Sequence, residues 1–402
     1  MNLRGVIAEA LETMRQLLGC LVAFQDLPRW FDLVAVGKAS ASIVDGVLAA
    51  WGPELASGIV VLPDDAPAPS EHPRLRVLRA SHPLPDARSV AAGEASLQLA
   101  REGKGTELLV FVSGGASSLV AVPIEGVTLE TFQAVTRALL LSGADVRAVN
   151  VVRRHLSQVH GGGLARAAKE RRVQTWIVSD VVDGAPHDVG SGPASTDPTT
   201  IAGARDVLAR YAAAYRDLPL VETLKEGDEQ AAGLSSDISI QPRELAEAVA
   251  TNLQRRGFSA RVLEPSTADV LALAEEYANL ARALAPREAV VRSAEPSVRV
   301  TALHPGCGGR STHLAALVAS SLPAGVEFMA AASDGIDGSS GTSGAIVDAR
   351  SFRRRQADLS AAIAAFDTGA LHRAVGTALP EGPTGLNFAD VHVLVRHEES
   401  GA

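Results

Sequence analysis

With 402 residues the chain is long enough for two or three average domains, and at 47% hydrophobic but only 4% aromatic its core must be filled by Ala, Val and Leu. A net charge of −9 argues against nucleic acid or an anionic membrane as the main partner, and leaves room only for a local basic pocket that takes a small anion. Two cysteines, Cys20 and Cys307, exclude a disulfide framework or a cysteine zinc site, fit a reducing cytosol, and lead to the expectation of a cytoplasmic protein.

The first segment, MNLRGVIAEALETMRQLLGCLVAF, repeats its apolar residues at helical spacing, while Glu9, Glu12 and Arg15 interrupt any apolar core. It reads as a surface helix and not as a signal peptide. No apolar run approaches the roughly 20 residues that span a bilayer. Short apolar runs then alternate with helical patterns. Strands are expected at 31–37, 58–63, 75–81, 107–113 and 175–180, and again at 260–264, 287–293, 297–303, 327–335 and 391–396. Helical patterns cover 40–51, 87–102, 128–141, 160–171, 241–256 and 268–285. Several strand runs are almost continuously apolar, as expected of strands covered on both faces. The alternation predicts an α/β protein with mostly parallel sheets. The stretch KEGDEQAAGLSSDISIQP (225–242) is polar and rich in Gly and Ser, which places a boundary near 240. Two Rossmann-like domains, 1–240 and 241–402, are expected to face each other across a ligand cleft.

In doubly wound sheets ligands bind beyond the carboxyl ends of the strands, so the residues that follow each apolar run carry the chemistry. In VAVGKASASIV (34–44), Gly37 lets the backbone turn and Lys38 stands at a helix start. Four lysines stand against 33 arginines in the whole chain, which singles Lys38 out as a compact charge suited to phosphate. In FVSGGASSLV (111–120), Ser113, Gly114, Gly115, Ser117 and Ser118 form a small hydroxyl-rich loop before a helix start, suited to an anion. It lacks the Gly-Lys-[Ser/Thr] ending of a P-loop. Asp180 closes a buried strand and opens a long loop that also holds Asp183, Asp188 and Asp197. Carboxylates near a phosphate loop suggest Mg²⁺, although Asp183 and Asp197 read as ordinary turn residues of a surface loop. In HPGCGGRSTHLAALVAS (304–320), a β-rich run feeds a glycine turn, and Arg310 stands at the entrance of a helix. A guanidinium there suits the charge on a moving phosphoryl group. Asp334 and Asp337 flank Gly335 after another strand. No G-x-S-x-G elbow points to a serine hydrolase, and no G-x-G-x-x-G follows the first strand.

In this order the motifs resemble the class II glycerate kinases, a two-domain family once described as hydroxypyruvate reductases. The resemblance rests on VGKAS (36–40), SHPLPD (81–86), VSGGASSL (112–119), RRHLSQVHGGGLA (153–165), SDV…SGP…DPTT (179–200), GCGGR (306–310), SDGIDG…SGAIVD (333–348) and GPTGLN (382–387). It implies a larger N-terminal and a smaller C-terminal α/β domain, with the site between them. It implies ATP- and Mg²⁺-dependent phosphorylation of D-glycerate, usually at the 2-hydroxyl, by a monomer or homodimer. It carries over Lys38, Asp180 and Arg310 as the catalytic set. Asp180 either accepts the hydroxyl proton or holds Mg²⁺. Lys38 and Arg310 bind either the substrate carboxylate or the moving phosphoryl group. Ser113, Gly114, Gly115, Ser117, Gly308, Gly309, Asp334 and Asp337 are expected to hold the nucleotide. His82, Arg154 and Glu295 are expected on the substrate.

The chain also departs from the family. Ser311, Thr312 and His313 replace its usual Asn-Gln-Glu after Gly-Gly-Arg. SAE (293–295) keeps only Glu295 of a Gly-Gly-Glu, and HGGG (160–163) replaces Lys-Gly-Gly-Arg. Because Lys38, Asp180 and Arg310 survive together, a changed substrate or nucleotide preference is expected before a dead enzyme. The alternatives are a hydroxypyruvate reductase-type oxidoreductase and a non-catalytic nucleotide- or metabolite-binding homologue.

Overall fold

The computed structural model describes residues 2–21 and 30–398. The chain divides into two compact units. One holds Leu17–Ser179 and Gly184–Ile240, and the other holds Met1–Gln16, Asp180–Asp183 and Gln241–Ala402.

The first unit is built on β1 (Phe31–Val36), β2 (Leu55–Pro63), β3 (Leu75–Ala80), β4 (Glu107–Ser113), β5 (Arg172–Val178) and β6 (Leu234–Ile240). Every pairing is parallel and the order is β3-β2-β1-β4-β5-β6. The two central strands, β1 and β4, are largely apolar and buried along almost their full length, the exception in β1 being buried Asp32, which pairs with Arg171. Helices cover the strands, and their starts are legible: Asp86, Thr128, Asp145 and Thr200 each accept a backbone N–H at the N-terminus that follows. Strand β6 lies in the polar stretch 225–242, where no strand is expected. It is an edge strand whose residues alternate between exposed and half-buried, so it needs no apolar run. The helix expected over 160–171 shrinks to Gly163–Ala167, because Gly161 and Gly162 hold left-handed backbone just before it.

The second unit contains β7 (Ser259–Val262), β8 (Glu288–Ala294), β9 (Val326–Ala332), β10 (Gly344–Asp348), β11 (Ala378–Leu379) and β12 (Asp390–Arg396), in the order β11-β10-β9-β12-β8-β7. This sheet is mixed and not mostly parallel. Only β7 and β8 run parallel, while β12 is antiparallel to both its neighbours. Strand direction depends on how the connections cross, and apolar runs carry no record of it. The helix Arg310–Ala319 packs on β9 and β10, and Pro242–Arg255 packs on β7 and β8. Tyr277, Leu314, Phe328 and Leu394 belong to the core between these layers.

The N-terminal helix, Leu3–Leu21, buries Leu3, Val6, Ile7, Ala10, Met14 and Leu18 along one stripe. Within the second unit, Asn252 Nδ2 donates to its Val6 carbonyl at 3.4 Å, and Glu9 pairs with Arg256 at 2.5 Å. Residues 22–24 of the expected helix, and the side chain of Cys20, lie outside the described residues.

Two expectations fail inside regular structure. The run SVRVTAL (297–303) is not a strand. The chain leaves the sheet after Ala294, and Val300 and Leu303 are exposed. A short apolar alternation fits a loop that walls a cavity as well as it fits a ladder. The loop after Ser113 enters only a single helical turn, Ala116–Leu119, so the helix dipole expected there is small.

Buried histidines give the fold an acid limit. His372 is fully buried, its Nε2 bonds to the Thr312 carbonyl at 3.0 Å, and its Nδ1 bonds to Thr377 Oγ1 at 2.7 Å. Burial holds its pKa down at about 4, against an ordinary value of 6.5. The folded state therefore favours the neutral ring. Its contribution is complete above 6.5 and is lost as pH falls toward 4. His372→Gln is expected to be less stable than wild type at pH 7. The gap should narrow by about 1.4 kcal/mol per pH unit below 6.5, read from urea midpoints. A gap that widens on acidification contradicts the assignment.

Candidate functional site

Strand order 3-2-1-4-5-6 puts the reversal of winding between β1 and β4, and the open end of such a sheet is where ligands bind. Lys38 follows β1 and the Gly114-Gly115 turn follows β4. The Lys38 amide donates to the Gly114 carbonyl at 3.0 Å, and the Ala39 amide donates to Ser113 Oγ at 3.1 Å. Gly115 has φ +89, where a side chain is strained. A Cβ there would lie 3.1 Å from His82 Cδ2 and 3.6 Å from Lys38 Cγ. Five expected site residues, Lys38, His82, Ser113, Gly114 and Gly115, therefore converge at this switch point. Ser117 stands beside them, its hydroxyl 2.9 Å from Ser191 Oγ. Gly115→Ala is expected to cost about 1–3 kcal/mol in backbone strain and to press on His82, which a lowered melting temperature would record.

Arg154 does not join this group. It is 2% exposed, lies 3.1 Å from Asp197 Oδ2, and donates to the His187 carbonyl at 2.9 Å. Asp197 is also buried, so its reading as a surface turn residue fails. Burial pushes its carboxyl up, but Arg154 and the bonds from Thr199 outweigh that and hold it below the usual range. Arg154 thereby holds the 187–197 part of the loop inside the first unit.

In the second unit Arg310 is the first residue of its helix, and two carboxylates already engage it. Its Nε donates to Asp390 Oδ2 at 2.8 Å, its Nη2 to Asp390 Oδ1 at 3.1 Å, and its Nη1 to Glu295 Oε1 at 3.3 Å. Burial works against the charge on Arg310, but Asp390 and Glu295 outweigh it and keep the guanidinium protonated. Burial also pushes Glu295 above the ordinary carboxylate range, against the pull of Arg310. The anion position at this helix N-terminus is filled from within. Asp337 accepts from the amides of Ser311 at 2.9 Å and Thr312 at 2.8 Å. A Cβ on Gly309 would lie 2.2 Å from the Asp337 carboxyl carbon, so only glycine lets that carboxylate approach. Asp337→Ala should remove the cap and cost about 1–2 kcal/mol, seen as a lower urea midpoint with activity assayed in parallel.

A cavity of about 540 Å³ opens beside Arg310. Gly308, Gly309, Asp334, Asp337, Asn387 and Asp390 border it, and Pro296, Val298, Val300, Ile336 and Phe366 give it an apolar wall. Asp180 belongs to this second unit, where its Oδ2 accepts from Asn387 Nδ2 at 2.8 Å. Among the described residues no cluster of three or more His, Cys, Asp or Glu is arranged to hold a metal. A Mg²⁺ that arrives with phosphate oxygens needs only one or two carboxylates, and half-buried Asp180 fits as one of them.

The departures at 311–313 prove to be internal. Ser311 and Thr312 are 0% exposed and His313 8%. The Ser311 hydroxyl donates to Asp390, the Thr312 hydroxyl bonds to Gly309, and the His313 ring lies 5.2 Å from that of Phe366. Sequence reasoning quoted Asn387 only as the end of the GPTGLN motif and passed over Asp390. The available signal was GPTGLNFAD, whose Asp390 opens the largely apolar run of β12.

A family model described as "Domain of unknown function (DUF4147)" matches residues 5–223, and one described as "MOFRL family" matches residues 288–390. A curated protein of Agrobacterium vitis named "Putative hydroxypyruvate reductase" is 35% identical over 394 residues, covering 90% of this chain and 86% of that one. The D-glycerate 2-kinase of Thermotoga maritima is 29% identical over 375 residues, covering 89% of each. A crystal structure of glycerate kinase from Thermotoga maritima matches with a TM-score of 0.83 at 26% identity, covering 98% of both chains.

Proposed function

The chain belongs to the DUF4147/MOFRL glycerate kinase family, and we propose that it transfers the γ-phosphoryl group of ATP to a hydroxyl of D-glycerate, giving 2-phosphoglycerate, or of a closely related small hydroxy acid. One observation carries this reading. Lys38 and the Gly114-Gly115 turn meet at the switch point of a 3-2-1-4-5-6 sheet, where a phosphate is neutralised by a point charge and approached by bare backbone.

Catalysis of phosphoryl transfer is mostly positioning and charge neutralisation, and each residue has a part in it. Lys38 draws charge from the moving phosphoryl group, with Ser113 and Ser117 as hydroxyl donors beside it. His82 in the first unit and Arg310 in the second each offer nitrogen donors suited to an anion. The apolar wall of the second unit's cavity suits a flat purine, and its size is ordinary for a small-molecule site. Asp180, steadied by Asn387, would hold Mg²⁺, which when bound offsets phosphate charge.

Incubation of the purified chain with D-glycerate and Mg·ATP should release ADP. The absence of ADP with every member of a panel of short hydroxy acids overturns the proposal. NADH oxidation by hydroxypyruvate that persists in Lys38→Ala would favour the reductase reading. The missing G-x-G-x-x-G after β1 speaks against it.

A further inference from the structure

We propose that Asp390 is the positioning residue for Arg310: a buried carboxylate that fixes which edge of the guanidinium faces the cavity without itself touching substrate. The inference rests on the reading that Arg310 serves phosphoryl transfer.

Asp390 opens β12, the strand between β9 and β8, and pairs in register with Ala332 on one side and Ala294 on the other. The residue before it, Ala389, has φ +58, a left-handed backbone that a non-glycine residue adopts at some strain. The Asp390 side chain is 1% exposed, against 34% for Arg310. Its two oxygens take the Nε and Nη2 edge of the guanidinium at 2.8 and 3.1 Å, and Oδ2 also accepts the Ser311 hydroxyl at 3.1 Å. Two consecutive residues of one helix start are thereby tied to a single carboxylate on the sheet.

This is the fork-to-fork geometry in which a carboxylate sets the plane of an arginine as well as its place. With the Nε edge taken, the Nη1 edge is the part turned elsewhere. Its partner is the single, longer contact to half-buried Glu295 at 3.3 Å. A long flexible side chain at a helix start otherwise has many rotamers, and a catalytic cation misplaced by about 1 Å costs on the order of 10²-fold in rate. Ser311 has a plain role in the same arrangement, since its hydroxyl braces Asp390.

The test uses the full chain and four variants: Asp390→Asn, Asp390→Glu, Arg310→Ala, and the Arg310→Ala/Asp390→Asn pair. Asp390→Asn should lower kcat about 10²-fold with a smaller change in KM. Asp390→Glu, which keeps the charge, should fall between it and wild type. It carries the comparison if the Asn variant does not fold. The two substitutions should not add, because Asp390 acts through Arg310. Added guanidinium should restore part of the turnover of Arg310→Ala and none of the double variant's. Wild-type kinetics in Asp390→Asn, or equal rescue with and without Asp390, overturns the proposal. If wild type turns over no acceptor, the kinase reading fails but the positioning is still measured. In ¹⁵N-arginine NMR the Arg310 Nε–H resonance should exchange slowly with water in wild type and rapidly in Asp390→Asn. Equal exchange in both sinks it.

Discussion

Lys38→Ala is expected to lower kcat for ATP-dependent phosphorylation by about 10²–10³-fold in a protein that still folds. The structure separates rate from folding. The contact that holds the turn together is made by the Lys38 backbone amide to the Gly114 carbonyl, and alanine keeps it. What alanine removes is the ammonium, on a half-buried side chain packed against Gly115. His82 stands at the same turn but is exposed, on the other side of the Gly115 position. Rates and melting curves measured on one preparation check both halves. A variant that keeps full turnover removes Lys38 from the chemistry.

Arg310→Ala is expected to cost about 10³-fold or more in kcat, the size of effect seen when a cation is withdrawn from phosphoryl transfer. Here stability also moves. Removing the guanidinium leaves Asp390, 1% exposed, still accepting from the Ser311 hydroxyl at 3.1 Å. Breaking a fully buried ion pair costs about 3–5 kcal/mol, and the cost here should fall below that range because Arg310 is 34% exposed. Arg310→Lys restores a charge but not the two-pronged contact. It should recover most of the stability and little of the rate. Recovery of both by lysine would mean that charge alone is needed at this position.

Much of the first unit was legible because its physics is local. β1 and β4 are buried on both faces, so their sequences run apolar almost without a break, and the polar residues that end them stand out. The same logic drew attention to Lys38 and Ser113, at the ends of those two strands. It failed where a pattern has two physical solutions. SVRVTAL alternates like a strand, yet Val298 and Val300 wall a cavity. LSSDISI is too polar to read as a strand, yet an edge strand tolerates that polarity. The mixed direction of the second sheet is set by connections that no single segment records.

At the site, the residue types were legible but their engagements were not. Asp337 and Arg310 were read as groups facing a ligand. Asp337 caps a helix and Arg310 is gripped from a strand that begins 80 residues later, and both contacts exist only once the second unit has folded. Ser311, Thr312 and His313 stand out in the sequence as departures from the resembled pattern, but their contacts do not: Ser311 bonds to Asp390, Thr312 bonds to Gly309 at the helix start, and the His313 ring packs near Phe366.

Whether the γ-phosphorus of ATP comes to rest on a carbon-bound oxygen of D-glycerate is read directly by ³¹P NMR of the two substrates with Mg²⁺ and the wild-type chain. The expected spectrum shows ADP growing together with a phosphomonoester split by the single proton on C2. ATP that stays intact, or that yields only ADP and inorganic phosphate, contradicts assignment of this chain as a glycerate kinase.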